Sequence, residues 1–251
     1  MKTQEKNFDG IKLSGFTAIL IMLALTGTAI YLLSLPQTPS IIAGVICGIC
    51  VVVMLPGFMI IQPNNSRVLT FFGRYAGTVI SNGFYWVNPL FLKSTVTLRI
   101  LNLNIDPIKV NDKVGNPIMI GAVVVWRIKD TYKASFDISG NIREFVQIQS
   151  DAALRQVAGM YAYDTNETID KVTLRSDESG EITQRLEDEL NSRLAIAGIE
   201  IVEARINYLA YASEIASVML RRQQADAIIS ARERIVEAVS YTHLTLPTNS
   251  L

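Results

Sequence analysis

The sequence predicts an α+β protein in three parts. These are an N-terminal transmembrane helical hairpin, an α/β domain with mostly antiparallel strands, and a long C-terminal helix. Three observations predict it. No Asp, Glu, Lys or Arg occurs from Gly15 to Ile61. The text from Gln62 to about Ile128 is rich in Val, Ile, Thr and aromatics, and helical spacing replaces it after Gly140. Finally, Ala212 to Ala238 contains neither Gly nor Pro.

The charge-free stretch gathers the apolar excess of a chain that is 49% hydrophobic over 251 residues. All 23 basic and 23 acidic side chains lie outside it, at a density ordinary for a soluble domain. It divides into 15–35 and 40–61, each long enough for the roughly 20 residues that cross a hydrocarbon core as a helix. Pro36-Gln37-Thr38-Pro39 reads as the turn, because proline cannot continue a helix. A cleaved signal peptide before a single span is disfavoured by the length of the first run and the lack of a small-x-small cleavage site. A re-entrant hairpin stays open, since Pro56-Gly57 would kink the second helix. Lys2, Lys6 and Lys12 precede the hairpin, Arg67 and Arg74 follow it, and the turn has no charge. The expected location is the cell membrane, with both termini and the soluble domain cytoplasmic. Residues 1–14 are then a cytoplasmic N-terminal tail.

Gly44 and Gly48 form a GxxxG pattern in the second span, expected to pack against the first. Cys47 and Cys50 read as small apolar filler, because hydrocarbon opposes the thiolate that redox chemistry needs.

In the soluble part, strands are predicted at Ser66–Phe72, Gly83–Val87, Val96–Ile105 and Ile118–Ile128, with Asn111–Pro117 as a hairpin turn. The apolar parity changes within Val96–Ile105, which predicts a bulge or bend. Gly73, Gly77, Asn82-Gly83 and Asn88-Pro89 read as punctuation. Ile142, Phe145, Val146, Gln149, Ala153, Val157 and Met160 mark one face of a helix. Ile182, Leu186, Leu190 and Leu194 mark a second, over about Ser179–Ala197, with Gly198 as its stop. Ile199–Leu209 returns to a strand. In the long helix (211–239) apolar residues fall at Ile215, Val218, Met219, Ala225, Ile228, Ile229, Ile235, Val236 and Val239. Their recurrence is nearer eleven than seven, which favours straight or slightly right-handed lateral packing between subunits over a left-handed coiled coil. Arg222/Asp226 and Arg234/Glu237 suit exposed intrahelical pairs.

These residues resemble the SPFH or band 7 family (stomatin, prohibitin, flotillin, HflK/C), nearest the stomatin-like slipins. Phe72-Gly73-Arg74, then Asn82 to Trp86 and Pro89, resemble the family's opening motif. Asp112 to Ile118 followed by Ala122–Asp130 resembles its central hairpin. Leu154–Gly159 resembles a helix motif, and Gly198–Ile201 with Glu214-Ile215 and Arg222–Ala225 resembles the run into the long helix. The likeness covers about 61–239, with the domain itself at 62–210. It implies a non-catalytic, membrane-anchored scaffold that assembles into homo-oligomeric rings or cages and delimits membrane microdomains. Membrane lipid is the expected partner, with a membrane protease or other integral membrane protein as a further one. A regulatory binding subunit of a membrane protease or channel is the alternative, and a membrane-associated hydrolase a disfavoured third. Phe71, Phe84, Tyr85, Trp86 and Phe91 are expected either at headgroup level or in the β core.

Ser240–Leu251 departs from that pattern with Pro247 and an abrupt compositional shift. It is expected to be a non-native tail on a shortened helix, and its His243, the only histidine, is given no role.

Little else points to chemistry. There is no Gly-rich phosphate loop, GxSxG or HExxH. Asp106, Asp112, Asp130 and Asp137 fall at turns or strand ends, where solvated or capping roles are the default. Glu187-Asp188-Glu189 reads as a solvated helix face. No catalytic, metal or cofactor site is expected. Balanced charge and two cysteines argue against nucleic-acid binding and a disulfide framework.

Overall fold

The structure, a computed structural model, describes residues 5–164, 172–176 and 180–244. The predicted start of the second domain helix at Ser179 and the tail from residue 245 onward lie outside the described residues.

The chain opens with a short strand, β1 (Leu13–Ser14), and two apolar helices, α1 (Gly15–Ser34) and α2 (Thr38–Met54). The helices pack against each other. Pro39 is not part of the turn, as expected, but sits in the first turn of α2. Its missing N–H is harmless there, since that position has no intrahelical acceptor. The second helix also ends sooner than expected. Leu55–Gly57 tightens into a 3₁₀ turn, and Phe58–Ile61 is a strand, β2, rather than the last turn of a span. Pro56-Gly57 breaks the helix, and the alternation of buried Met59 and Ile61 with exposed Ile60 gives the strand an inner face.

The domain continues with β3 (Asn65–Phe71), β4 (Arg74–Val79), β5 (Gly83–Trp86), β6 (Phe91–Thr97), β7 (Leu101–Asn111) and β8 (Pro117–Ile128). Then come α3 (Thr131–Phe136), α4 (Ile142–Met160), α5 (Glu181–Leu194), β9 (Ile199–Tyr211) and α6 (Ser213–Leu244). The strands form three sheets, ordered β1-β5-β2, β4-β3-β6 and β7-β8-β9. The first two are antiparallel throughout their pairings.

Several elements differ from the sequence reading. Val96–Ile105 is two strands rather than one, separated at Leu98–Ile100 by a bend at Arg99, where the parity changes. The described irregularity lies elsewhere, between Leu69 and Thr70 where β3 pairs β4. β4 was hidden because Gly77 reads as punctuation; its φ of 145° and the approach of the Phe8 backbone to within 2.7 Å of a would-be Cβ favour glycine there. α3 is a short helix that Asp130 caps by accepting from the Lys133 N–H. α6 runs on through Leu244, past the point where helical period was expected to stop.

Two compact units emerge. The first comprises Met1–Asn102, Val125–Val146 and Asn191–Val202. Its β core is Met59, Ile61, Leu69, Val79 and Val87, with Phe8, Ala76, Tyr85 and Phe91 against it. Thr78, buried on β4, hydrogen-bonds Thr131 and Tyr75 by hydroxyls at 3.0 and 2.7 Å, and Thr131 hydrogen-bonds Glu5. The N-terminal segment is therefore docked on the domain: Phe8 N–H donates to the Thr78 carbonyl, and Thr78 N–H to that of Lys6.

The second unit comprises Leu103–Val124, Gln147–Leu190 and Glu203–Leu251. Leu103, Ile105, Ile118, Ile120, Ala122 and Val124 are buried on its strands, and Ala153, Leu154, Val157 and Ala158 on α4. Met160, expected on the inner face of α4, is exposed. On α5 the four-residue spacing is realised, with Ile182, Leu186, Leu190 and Leu194 all buried.

Candidate membrane and assembly sites

The hairpin is apolar enough to cross a membrane twice: Gly15–Ser34 and Thr38–Gly57 both qualify in length and composition. Three of its hydroxyls are satisfied internally. Thr26, Thr28 and Ser34 donate to the carbonyls of Leu23, Leu25 and Tyr31 at 2.7–2.9 Å, which removes the cost of placing them in hydrocarbon. Its buried positions are all small: Gly15, Ala18, Ala29 and Gly44. A Cβ at Gly44 would lie 2.8 Å from Leu33 Cγ and 3.2 Å from the Ala29 carbonyl. At Gly48 it would meet nothing within 4 Å. The GxxxG pattern is thus divided, with one glycine against α1 and the other facing outward. Cys47 is half-buried, Cys50 is exposed, and both are free thiols. Pro36 lies in the turn between the helices.

Both open ends of the hairpin are fastened to the same strand. β1, just before α1, pairs with β5 through Leu13–Trp86 and Ser14–Tyr85. β2, just after α2, pairs with the other edge of β5 from Phe58–Trp86 to Ile61–Gly83. Trp86 Nε1–H donates to the Met54 carbonyl at 2.9 Å, closing an orphan acceptor at the end of α2. The Lys93 ammonium donates to the carbonyls of Pro56 and Phe58. Gly57 fits under the indole, since a Cβ there would stand 2.3 Å from Trp86 Nε1.

The five aromatics divide by environment. Tyr85 and Phe91 pack on the β core. Phe84 stacks on Phe58 and meets Phe16 edge-on at the base of the hairpin. Trp86 caps α2, and Phe71 is 38% exposed. Phe72 was missed. It is 78% exposed and holds φ at 45°, beside Gly73 at 80°, in the two-residue turn joining β3 to β4. Asn-Gly is the usual solution for such a turn, and a phenylalanine there costs about 1–2 kcal/mol of backbone strain. The signal available in the sequence was the Phe-Gly dipeptide between two strands.

α6 is fastened near its start. Ala212 N–H donates to the Pro117 carbonyl at 3.0 Å, Lys109 pairs with Glu214, and Gln223 donates to Asp164. The Lys109 ammonium holds the Glu214 carboxyl below the usual carboxylate range. Arg222 and Asp226 form the expected intrahelical pair at 3.8 Å. Ile215 and Met219 are half-buried, whereas Val218, Ile228, Ile229, Ile235, Val236 and Val239 are exposed. At the eleven-residue period these form two stripes about a quarter turn apart. Val218, Ala225, Ile229 and Val236 lie on one, and Ile228, Ile235 and Val239 on the other.

Asp112, read as a turn residue, is a buried keystone. Its carboxylate accepts from the N–H groups of Val114, Asn116 and Tyr163 and from the Asn116 amide at 2.7–3.2 Å. Glu200 on β9 is held below its ordinary value by Lys129 and Arg127. Among the described residues, no group of three or more His, Cys, Asp or Glu stands together as a metal site.

Two apolar helices leading into antiparallel sheets and ending in a long helix define a membrane-associated α+β protein. The comparison with known families makes this specific: the model of the SPFH domain / Band 7 family matches residues 59–239, and the chain belongs to that family. That family is membrane-associated, of scaffold type and generally non-enzymatic. The match begins inside β2. No curated protein matches the chain.

Proposed function

We propose that this protein is a membrane-anchored scaffold that assembles side by side with copies of itself and organises membrane microdomains or membrane-protein complexes. One observation carries the reading: β1 and β2, at the two open ends of the apolar hairpin, pair with opposite edges of β5. The two apolar helices therefore leave and return on the same side, and a bilayer around them would hold the domain against its surface. The charge asymmetry of the flanks supports a cytoplasmic side for that surface.

The exposed stripes on α6 support self-assembly. A helix lined on two faces by apolar side chains has room for a neighbour on each, as a closed ring of heterologous contacts requires. A membrane protease or other integral membrane protein is the partner class such a ring would enclose.

The test is the size of the full-length protein extracted from native membranes in a mild detergent. The expected result is a discrete oligomer of many copies by light scattering and electron microscopy. A monomer across micromolar concentrations would overturn the proposal.

A further inference from the structure

A cleft of about 370 Å³ opens where α2 gives way to β2. Pro56, Phe58, Ile60 and Phe84 supply apolar walls, and Arg67 and Lys93 the polar groups. Arg67 is opposite Thr95, and Lys93 is opposite Leu69, on paired β3 and β6, so the two cations are diagonal neighbours on one sheet face. Among the described residues, no carboxylate lines the cleft. Two of the Lys93 hydrogens go to the Pro56 and Phe58 carbonyls, which leaves a third. The half-buried Arg67 guanidinium has no hydrogen-bond or ion-pair partner among the described residues. Burial and the neighbouring Arg67 together push the Lys93 ammonium down. Two like charges so placed are mutually costly until an anion joins them.

The geometry points to this cleft as a binding site for the phosphate of an anionic phospholipid. Arg67 supplies a planar two-pronged donor, and Lys93 a point charge beside it. The surroundings choose a lipid over a free anion. Pro56, whose carbonyl Lys93 bonds, lies in the 3₁₀ turn that ends the second apolar span, and Ile60 is 65% exposed beside the cations. Under the membrane anchoring proposed above, on which the inference rests, this places the cations at headgroup level and the apolar wall toward the acyl chains.

The experiment titrates the full-length protein, in a neutral detergent, with dioctanoyl phosphatidylglycerol, dioctanoyl phosphatidylcholine and inorganic phosphate. Phosphatidylglycerol is expected to bind saturably and at least tenfold more tightly than the other two. Arg67→Gln is expected to weaken it at least tenfold, and Arg67→Lys about fivefold, since lysine keeps the charge but loses the two-pronged donor. Arg143→Gln, a change on α4, leaves it unaltered. Thermal unfolding of each variant shows whether it is folded, and Arg67→Lys keeps the test decisive if Arg67→Gln is not. Phosphatidylcholine or phosphate binding as tightly as phosphatidylglycerol would overturn the proposed ligand class. Unchanged affinity in folded Arg67→Gln, or no saturable binding at all, would overturn the site. Retention of the wild-type chain in carbonate-washed membranes is scored separately. Release there with lipid binding intact would remove the anchoring and leave the cleft standing.

Discussion

Asp112 shows how little of a residue's role its letter reveals. An aspartate before Lys113 and Gly115 reads as turn chemistry, and it does terminate β7. Yet Tyr163, one of the groups it holds, is remote in sequence, so its place is set by tertiary structure. Asp112→Ala would leave three backbone N–H groups unpaired in a buried site. A loss of about 2–4 kcal/mol is expected in chemical unfolding. Asp151 behaves oppositely. Burial raises its carboxyl, Arg155 opposes this and Asp106 adds to it, and Oδ1 has no partner among the described residues. With the folded value above the unfolded one, the unfolded chain ionises first as pH rises. Stability should therefore fall as pH climbs from the unfolded value through the raised folded one. Asp151→Asn is expected to flatten that fall and to raise the melting temperature at pH 7 relative to pH 4. An unchanged pH profile would refute the assignment.

Among the elements, the hairpin was legible and its ends were not. Absence of charge over a long run is a strong signal, because a charge in hydrocarbon is expensive. Where the helix stops is a weaker one. Phe-Met-Ile-Ile suits a span or a strand equally, and only the pairing with β5 makes it a strand. The two glycines of the GxxxG pattern separate in the same way. Gly44→Leu forces a side chain into Leu33 and the Ala29 carbonyl, and should cost about 1–3 kcal/mol in thermal unfolding in detergent. Gly48→Leu has open space and should fall well below that. For α6, Ile229→Lys and Ile228→Lys strike different stripes. Each is expected to reduce the assembly to smaller species in light scattering while leaving the unfolding transition near wild type, because both positions are exposed. A paired loss of folding and size would assign them to the core instead.

For the molecule as a whole, the fastening of β1 and β2 to one strand makes a topological prediction. Reporters placed at the N-terminus and after Val239 should both be active in the cytoplasm. Activity on opposite sides of the membrane would exclude the hairpin arrangement, and activity of both outside would reverse the orientation. The family was legible from short motifs in the right order, as the match over residues 59–239 shows. The anion cleft was not. Arg67 read as a topogenic charge and Lys93 as nothing in particular, since they are distant in sequence and meet only through the pairing of β3 and β6.

By itself the sequence determined what depends on composition and local period. This covers the apolar hairpin, the alternation of strand and helix, the α5 core stripe and the long unbroken final helix. Tertiary structure decided which apolar run was strand and which was span. It also decided that the N-terminal segment docks on β4, that Trp86 and Lys93 close the end of α2, and that two cations share one cleft. The physical reason is range. Solvation and helical period act within a few residues, whereas hydrogen-bond pairing and charge proximity act between residues that only the folded chain brings together.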